Sequence, residues 1–264
     1  MPQFSANLSM LFTELPFLER FDAAAVTGFT AVEFMFPYEY KASELLAALE
    51  RNKLALVLHN LPAGDWSAGD RGIACQPSRI AEFRNGVSLA CEYAPALGAP
   101  RVNCLAGIPS PSTSAESAHS TLVDNLRFAA EELSKVDVEL VIEPVNTRDI
   151  PGFFVNTTTQ AIAIMDEVGS DNLKLQFDIY HTQVMEGDLA NKLSALLPRI
   201  GHIQIADNPG RNEPGTGEIN YPFLFRHIDA IGYRGHVGAE YKPAGDTPAG
   251  LGWLEQAQDL AATA

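Results

Sequence analysis

In this 264-residue chain, four apolar runs each end at a polar residue whose side chain can bind a metal ion. Gaps of 35, 26 and 36 residues separate them, each about the length of one strand-helix unit. If the runs are buried strands whose ends meet, three carboxylates and an amide converge, and burying them requires a compensating positive charge. Oxygen ligands suit a hard divalent ion, so the pattern predicts a Mg²⁺ or Mn²⁺ site. The four residues are Glu143, Asp178, Gln204 and Glu240, at the ends of LVIE, LQFD, HIQ and VGAE.

Each of these residues also has a structural interpretation. A single strand-end carboxylate is most often a helix cap or a salt-bridge partner, but these runs offer few Lys or Arg partners. Glu33 and His59 follow apolar runs as well and carry a weaker signal. A histidine in such a place is commonly a hydrogen-bonded core residue, although His59 precedes the polar, Gly-rich stretch 60–72 and is a candidate pocket residue.

The elements that must position these side chains alternate along the whole chain. Eight β-rich runs are each followed by an amphipathic segment, which predicts a closed (β/α)₈ TIM barrel as a single domain over residues 1–264. An open doubly wound sheet is the alternative, but it usually shows a Gly-rich turn after the first strand, where this chain reads NLSMLFTE. Predicted strands are 3–7, 31–34, 55–59, 101–105, 139–145, 173–178, 201–206 and 236–240, and predicted helices are 16–27, 43–52, 78–97, 114–134, 158–168, 188–197, 222–231 and 249–262.

Composition excludes several classes of function. A formal net charge of −15 opposes binding to nucleic acid, and the longest apolar runs fall short of the roughly 20 residues that a membrane span needs. The first ten residues lack the features of a secretory signal. Cys75, Cys91 and Cys104 are spaced for neither a disulfide framework nor a zinc knuckle, so a cytoplasmic protein is expected.

Several long motifs resemble the hydroxypyruvate isomerases, a family of the xylose isomerase-like TIM barrel superfamily. The likeness spans almost the full chain, and the variable parts fall on predicted outer helices. The matching motifs are FSANLSMLF (4–12), VEFMFPY (32–38), LHNLPAGDW (58–66), RGIAC (71–75), IEP (142–144), DIPGF (149–153), DIYH (178–181), ADNP (206–209), EPGTGEINY (213–221) and EYKP (240–243).

This resemblance implies metal ligands at Glu143, Asp178, Gln204 and Glu240, with Glu143 and Glu240 as the proton donor and acceptor. The implied reaction interconverts hydroxypyruvate and tartronate semialdehyde. The neighbouring 2-oxo-tetronate isomerases share the opening motif and EYKP, so that substrate is the alternative. The motifs within 58–75, 149–153 and 206–209 look more like the hydroxypyruvate branch, which therefore ranks first.

An isomerisation through an enediol needs a base, an acid and an electrophile for the developing oxyanion, and no organic cofactor. A metal-assisted hydride shift stays open, as does which glutamate takes the first proton. An anionic substrate also needs hydrogen-bonding or cationic partners. Arg211, after the seventh strand, is another cation to consider, but a solvated loop position is expected for both arginines. The candidate substrate-binding residues are His59, His181, Lys242 and Arg71.

Two functions of other classes compete with the isomerase. A metal-dependent DNA-repair endonuclease shares the barrel superfamily, but it is expected to have many histidine ligands and a basic groove. This chain has six histidines and an acidic balance. A barrel that binds a sugar acid without turning it over is the second rival, and the candidate acid-base residues argue against it. The expected partner is a small hydroxy-oxo acid, with no nucleic acid and no membrane.

Overall fold

Eight parallel strands form one closed barrel in the computed structural model, which describes the backbone of residues 2–262 and the side chains of residues 2–257. Each strand pairs with the next along the chain, and the last pairs with the first. The (β/α)₈ prediction is therefore confirmed. Met1, Thr263 and Ala264 of the predicted domain lie outside the described residues. The strands are β1 Gln3–Asn7, β2 Ala31–Phe34, β3 Ala55–Asn60, β4 Arg101–Cys104, β5 Glu139–Ile142, β6 Leu173–Asp178, β7 Ile200–Ile205 and β8 His236–Ala239.

Helices follow the strands and cover the outside of the barrel, so the strand residues are buried on both faces. Ser114 and Thr157 cap the helices that follow them, because each hydroxyl accepts a first-turn backbone N–H. Gly98 and Gly169 end two helices in the left-handed conformation that favours glycine. The helices are α1 Arg20–Val26, α2 Ala42–Asn52, α3 Ile80–Leu97, α4 Ala115–Ser134, α5 Thr158–Val168, α6 Ile179–Met185, α7 Leu189–Leu196, α8 Tyr221–Ala230 and α9 Gly252–Ala262.

Helix α4 shows how the helices attach to the barrel. Leu122, Leu126, Ala129 and Leu133 recur at helical spacing and are all fully buried. Each buried leucine side chain contributes on the order of 2 kcal/mol through the apolar surface removed from water. This packing holds the strands, and with them the side chains at the strand ends.

Helix α6 is the one α-helix of the described chain that the sequence prediction missed. It begins directly after β6, with the Asp178 carboxylate accepting the backbone N–H of His181 at 3.0 Å. The prediction assigned a helix only to 188–197, where the structure has α7. No loop separates β6 from α6, so the last residue of the strand is also the cap of the helix. The sequence pattern therefore contains no turn signal that would indicate a new helix.

No helix within residues 2–262 is both long enough and apolar enough to cross a lipid bilayer. The three cysteines are free thiols, as predicted from their spacing. Cys75 and Cys104 are buried, and burial raises the pKa of the Cys75 thiol to about 12. These thiols pack as small apolar side chains.

Candidate active site

The four strand-end residues come together at the carboxyl-terminal mouth of the barrel. Asp178 ends β6 and lies beside Gln204 of β7 in the sheet register. Glu143 and Glu240 come one residue after β5 and β8. All four side chains are buried, with no more than 7% of any residue exposed. The barrel thus gathers three carboxylates from separate strands in a space screened from water.

Glu143 is a carboxylate that the structure makes difficult to ionise. Asn103 donates to its Oε2 atom at 2.9 Å, and the Nε2 atom of His181 lies 3.8 Å from its Oε1 atom. Burial and the charges of Glu240 and Asp178 raise its pKa well above the ordinary value. A glutamate in this state holds a proton more readily than a solvated one, as a general acid must.

Asp178 has one satisfied and one unsatisfied oxygen. Its Oδ1 atom accepts the backbone N–H of His181, whereas its buried Oδ2 atom has no hydrogen-bond partner among the described residues. Burial raises the pKa of Asp178, and the nearby Arg211 only partly opposes that effect. A buried carboxylate oxygen without a partner is costly, and a bound cation would remove that cost.

Glu240 is paired with a cation that the sequence prediction assigned to solvent. The Nη2 atom of Arg211 donates to Glu240 Oε2 at 3.0 Å, and Asn7 donates to Oε1 at 3.3 Å. Burial nevertheless raises the pKa of Glu240 to about 8. Arg211 also lies over the ring of Tyr180, at 5.5 Å from its centroid, and 3.9 Å from Asp149. The expectation of a solvated loop position for Arg211 is therefore wrong, because three buried carboxylates attract the nearest guanidinium.

A second polar group lies inside the barrel and is centred on Glu33 of β2. Its Oε1 atom accepts from Asn7 at 3.1 Å and Gln204 at 2.7 Å, and its Oε2 atom from Ser5 at 3.1 Å. The Nε2 atom of His202 lies 2.8 Å from Oε2. Burial acts to raise the pKa of Glu33, but the charge and hydrogen bond of His202, with the amide donors, hold it below the ordinary value.

The backbone of β8 leaves room for this carboxylate. A Cβ atom at Gly238 would overlap the carboxylate of Glu33, so any other residue there would displace that carboxylate. Asn7 bridges Glu33 and Glu240, and Gln204 bridges Glu33 and Gln176, whose Nε2 atom donates to Gln204 Oε1 at 2.6 Å. The Glu33 group therefore holds two of the four strand-end residues in place.

Three side chains of this mouth can hold a metal ion. Ligand atoms of Glu143, Asp178 and His181 all lie within 4.8 Å of one another. The unpartnered Asp178 oxygen and the raised carboxylate pKa values fit a site that a cation would complete. Two of these residues belong to the predicted ligand set, and His181 was predicted to contact substrate. Gln204 and Glu240 lie in the same mouth, bonded to Glu33 and Arg211.

The other predicted substrate-binding residues occupy different places. His59 is fully buried at the end of β3, burial lowers its pKa to about 4, and its Nε2 atom has no partner among the described residues. Arg71 stacks on Trp66 at 4.2 Å from the ring centroid and donates to the Trp66 and Asp70 carbonyls. Lys242 is exposed, and its backbone N–H donates to the Arg211 carbonyl at 2.8 Å. Neither Arg71 nor Lys242 contacts the carboxylate cluster in these hydrogen bonds.

A cavity of about 660 Å³ opens between the loops that follow β1, β2 and β3. Five aromatic side chains contribute to its wall, and the ring centroids of Phe36 and Trp66 lie 5.2 Å apart. Tyr38 connects this wall to the end of β3, because its hydroxyl donates to the Asn60 carbonyl at 2.7 Å and lies 3.4 Å from His59 Nδ1. The mouth therefore combines a charged side near β5 to β8 with an aromatic side near β1 to β3.

Comparisons with known proteins agree with this architecture. The chain is 57% identical to hydroxypyruvate isomerase of Escherichia coli over 255 residues, which cover 97% of this chain and 99% of that protein. It is 50% identical to 2-oxo-tetronate isomerase of Cupriavidus necator, with 97% and 98% covered. A crystal structure of a Brucella melitensis protein described as AP endonuclease, family 2, superposes with a TM-score of 0.94 at 42% identity, covering 97% of this chain and 99% of that one.

The family described as Xylose isomerase-like TIM barrel matches residues 21–257. This match and the full-length identities confirm the resemblance seen in the sequence motifs. The two curated relatives are isomerases, and so is this chain. The fold, the strand-end carboxylates and the sequence identities together establish that the chain belongs to the xylose isomerase-like TIM barrel family.

Proposed function

We propose that this isomerase interconverts hydroxypyruvate and tartronate semialdehyde by proton transfer through an enediolate. The observation that carries the proposal is the pair Glu143 and Glu240, two buried carboxylates with raised pKa values in one cluster. With such pKa values, one carboxyl group can hold a proton near neutral pH for the acid step while its partner is ionised for the base step. The identity of 57% to the Escherichia coli enzyme supports the choice of substrate.

The reaction balances with these two groups alone. One glutamate takes a proton from C3 of hydroxypyruvate, the C2 carbonyl becomes an enediolate oxygen, and a carboxylic acid returns a proton to C2. The hydroxyl proton on O3 moves to O2, which leaves an aldehyde at C3. Glu143 and Glu240 repel each other electrostatically, so protonation of one favours ionisation of the other. This coupling suits a pair that exchanges acid and base roles in the two directions.

Glu143, Asp178, Gln204 and Glu240 are proposed to hold a divalent ion, and Mg²⁺ is preferred because the donors are oxygens. When bound, such an ion acts as a Lewis acid that polarises the substrate carbonyl and acidifies the adjacent C–H. The unpartnered Oδ2 atom of Asp178 supports an ion at this place. No organic cofactor is part of the proposal.

The guanidinium of Arg211 is the side chain best suited to the substrate carboxylate. It is largely buried, and its Nε atom has no hydrogen-bond partner among the described residues. An unpaired, desolvated N–H group is a strong donor to an anion. After Arg211, the unpartnered Nε2 atom of His59 is the second-best candidate for a substrate contact. The other proposed substrate contacts are His181, Lys242 and Arg71.

A 2-oxo-tetronate is the second candidate substrate. The chain is 50% identical to the Cupriavidus necator enzyme, and a 660 Å³ cavity opens between the loops after β1, β2 and β3 at the same end of the barrel. The chemistry at the two reacting carbons would be the same. The choice therefore depends on how much the aromatic wall contributes to kcat/KM for the longer acid.

An assay of both acids tests the proposal. The purified protein is dialysed against chelator, reloaded with Mg²⁺ or Mn²⁺, and supplied with hydroxypyruvate or 2-oxo-tetronate. We expect metal-dependent conversion with the higher kcat/KM for hydroxypyruvate. A higher kcat/KM for 2-oxo-tetronate would make that acid the preferred substrate and hydroxypyruvate the alternative. No conversion of either acid with any divalent ion would remove the isomerase proposal and leave a silent sugar-acid binder.

The Brucella melitensis protein is described as an AP endonuclease, an activity that we do not propose for this chain. A net charge of −15 opposes binding to the phosphate backbone of DNA. We also propose that residues 1–264 act as one domain in the cytoplasm. The three free thiols support a reducing compartment.

A further inference from the structure

The ring of His181 is held by Asn146, a residue of the loop after β5. The backbone N–H of Asn146 points at His181 Nδ1 from 3.4 Å, and the side-chain Nδ2 atom of Asn146 lies 2.7 Å from the same nitrogen. The backbone group can only donate. A lone pair on Nδ1 suits this long contact, whereas a proton on Nδ1 would face the N–H group.

The side-chain amide of Asn146 is fixed in this orientation by Asp149. The Asp149 backbone N–H donates to Asn146 Oδ1 at 2.7 Å, and Asn146 Nδ2 donates to the Asp149 carboxylate at 3.2 Å. Turning the amide over would face its NH₂ group toward an N–H and its oxygen toward a carboxylate. Two hydrogen bonds would become two repulsions, so the NH₂ group stays toward His181.

We propose that Asn146 is a positioning residue that holds His181 in the tautomer with its proton on Nε2, so that His181 donates to a substrate oxygen and does not ligate the metal. The substrate part of this inference rests on the proposed isomerase function. The tautomer itself follows from the donors around Nδ1 and is independent of the reaction.

The surroundings of Nε2 agree with a donor. This atom lies 3.8 Å from Glu143 Oε1 and 3.9 Å from Asp178 Oδ2, on the side of the ring opposite Asn146. Both distances exceed a direct hydrogen bond and leave the N–H free for a substrate oxygen that develops negative charge. A ring nitrogen that carries a proton has no lone pair for a cation. His181 therefore belongs to substrate binding, although its ring lies close enough to the carboxylates to ligate an ion.

The first test reads the tautomer directly in chelator-treated protein. A ¹H–¹⁵N correlation spectrum of ¹⁵N-histidine-labelled enzyme distinguishes a protonated Nε2 from a protonated Nδ1, and His181 is assigned by the signal that disappears in His181→Gln. We expect the Nε2–H pattern in the unaltered protein. An Nδ1–H pattern would overturn the proposal, whatever reaction the enzyme catalyses.

A second test changes the group that faces Nδ1. Asn146→Asp replaces the side-chain donor at 2.7 Å with an acceptor and leaves only the longer backbone contact at 3.4 Å, so we expect the His181 signal to move toward the Nδ1–H pattern. Asn191→Asp, on the exposed face of α7, makes the same change away from the site and should leave the signal in place. A His181 signal unchanged by Asn146→Asp would show that the Asn146 side chain does not set the tautomer and would overturn its positioning role.

Metal affinity and turnover separate a donor from a ligand. Binding of Mn²⁺, followed by the loss of the free-ion electron paramagnetic resonance signal, should change less than threefold in His181→Gln and fall at least tenfold in Asp178→Asn. In the same His181→Gln enzyme kcat should fall by on the order of 10²-fold, the scale of one lost oxyanion donor. A tenfold loss of Mn²⁺ affinity in His181→Gln would make His181 a ligand and overturn the assignment.

Discussion

Two groups of buried carboxylates share this barrel and differ in how completely their oxygens are satisfied. Glu33, inside the barrel, accepts from Ser5, Asn7 and Gln204 and pairs with His202, and its pKa is lowered. The carboxylates at the mouth have fewer partners and raised pKa values. The mouth group consists of Glu143, Asp178 and Glu240.

The number of hydrogen-bond partners distinguishes a structural carboxylate from a candidate catalytic one, whereas burial alone does not. Glu33 is 0% exposed and Glu240 is 7% exposed, so both are core positions by accessibility. A satisfied carboxylate stabilises the fold around it, because removing it leaves its donors without a partner. An under-satisfied carboxylate stores a cost that a cation, a proton or a substrate can relieve, which is how active sites are commonly built.

The largest effect is expected on turnover. Glu143→Gln or Glu240→Gln should slow kcat by roughly 10²–10⁴-fold, the usual scale for losing an acid-base group. In Glu143→Gln the free energy of unfolding in chelator should stay unchanged or rise, because a repulsive buried charge is removed. Glu240→Gln also loses the ion pair with Arg211 and should be destabilised. Glu50→Gln, exposed on α2, is the control and should alter neither quantity. A loss of kcat below tenfold at either site would exclude that glutamate from proton transfer.

Removal of the satisfied carboxylate should damage the fold. Glu33→Ala leaves the donors of Ser5, Asn7 and Gln204 unpaired, and we expect a loss of about 3–5 kcal/mol in unfolding free energy. Asp178→Asn should cost less than about 1 kcal/mol, because its Oδ2 atom has no partner to lose. Urea unfolding in chelator measures both. Equal losses in the two variants would end the distinction between the two groups.

Two of the buried histidines, His59 and His202, extend the comparison to acid pH. Each ring has one nitrogen without a partner, but the other nitrogen of His202 faces the Glu33 carboxylate, whereas that of His59 lies against the Asn60 carbonyl and the Tyr38 hydroxyl. Burial lowers the pKa of His59 to about 4. Between pH 4 and 6.5 the unfolded His59 binds a proton that the folded one does not, so stability is lost as pH falls through that range. The contribution is about 3 kcal/mol. Urea titrations should show a shallower dependence in His59→Gln, and an unchanged slope would contradict the buried neutral state.

A divalent ion should stabilise the folded protein through the mouth group and not through the Glu33 group. At 100 times its dissociation constant, Mg²⁺ should raise the unfolding free energy of the chelator-treated protein by about 2.7 kcal/mol. Asp178→Asn should abolish this gain, whereas Glu50→Gln should retain it. Thermal denaturation with and without Mg²⁺ is the measurement. A full gain in Asp178→Asn would remove that residue from the ion site.

Much of the architecture was predictable because barrel strands are short apolar runs at regular intervals. The strands at residues 3–7, 31–34 and 173–178 have the predicted bounds. The predicted strand at 139–145 ends at Ile142 in the structure, so Glu143 stands just beyond the ladder. Burial continues through Val145, which packs outside the sheet, and a pattern of burial does not reveal where strand pairing stops.

The partners of the site residues were less predictable. Glu33 and the mouth carboxylates follow similar apolar runs, and only the register that brings β1, β2, β7 and β8 together reveals which of them are satisfied. Arg211 lies in a turn-rich loop that suggests solvent, yet it pairs with Glu240. One feature of the sequence indicated the pairing of Arg211. Three converging carboxylates need a positive charge nearby, and few other cations are close to these strand ends.

The most direct test of the central claim follows solvent deuterium into the product. Wild-type enzyme loaded with Mg²⁺ converts hydroxypyruvate in deuterated water, and NMR reads the hydrogen isotope at C2 of tartronate semialdehyde. If Glu143 and Glu240 exchange protons with the substrate, deuterium appears at C2, and the rate of its appearance falls at least 10²-fold in Glu240→Gln. Conversion that leaves only protium at C2 would contradict proton transfer by these carboxylates.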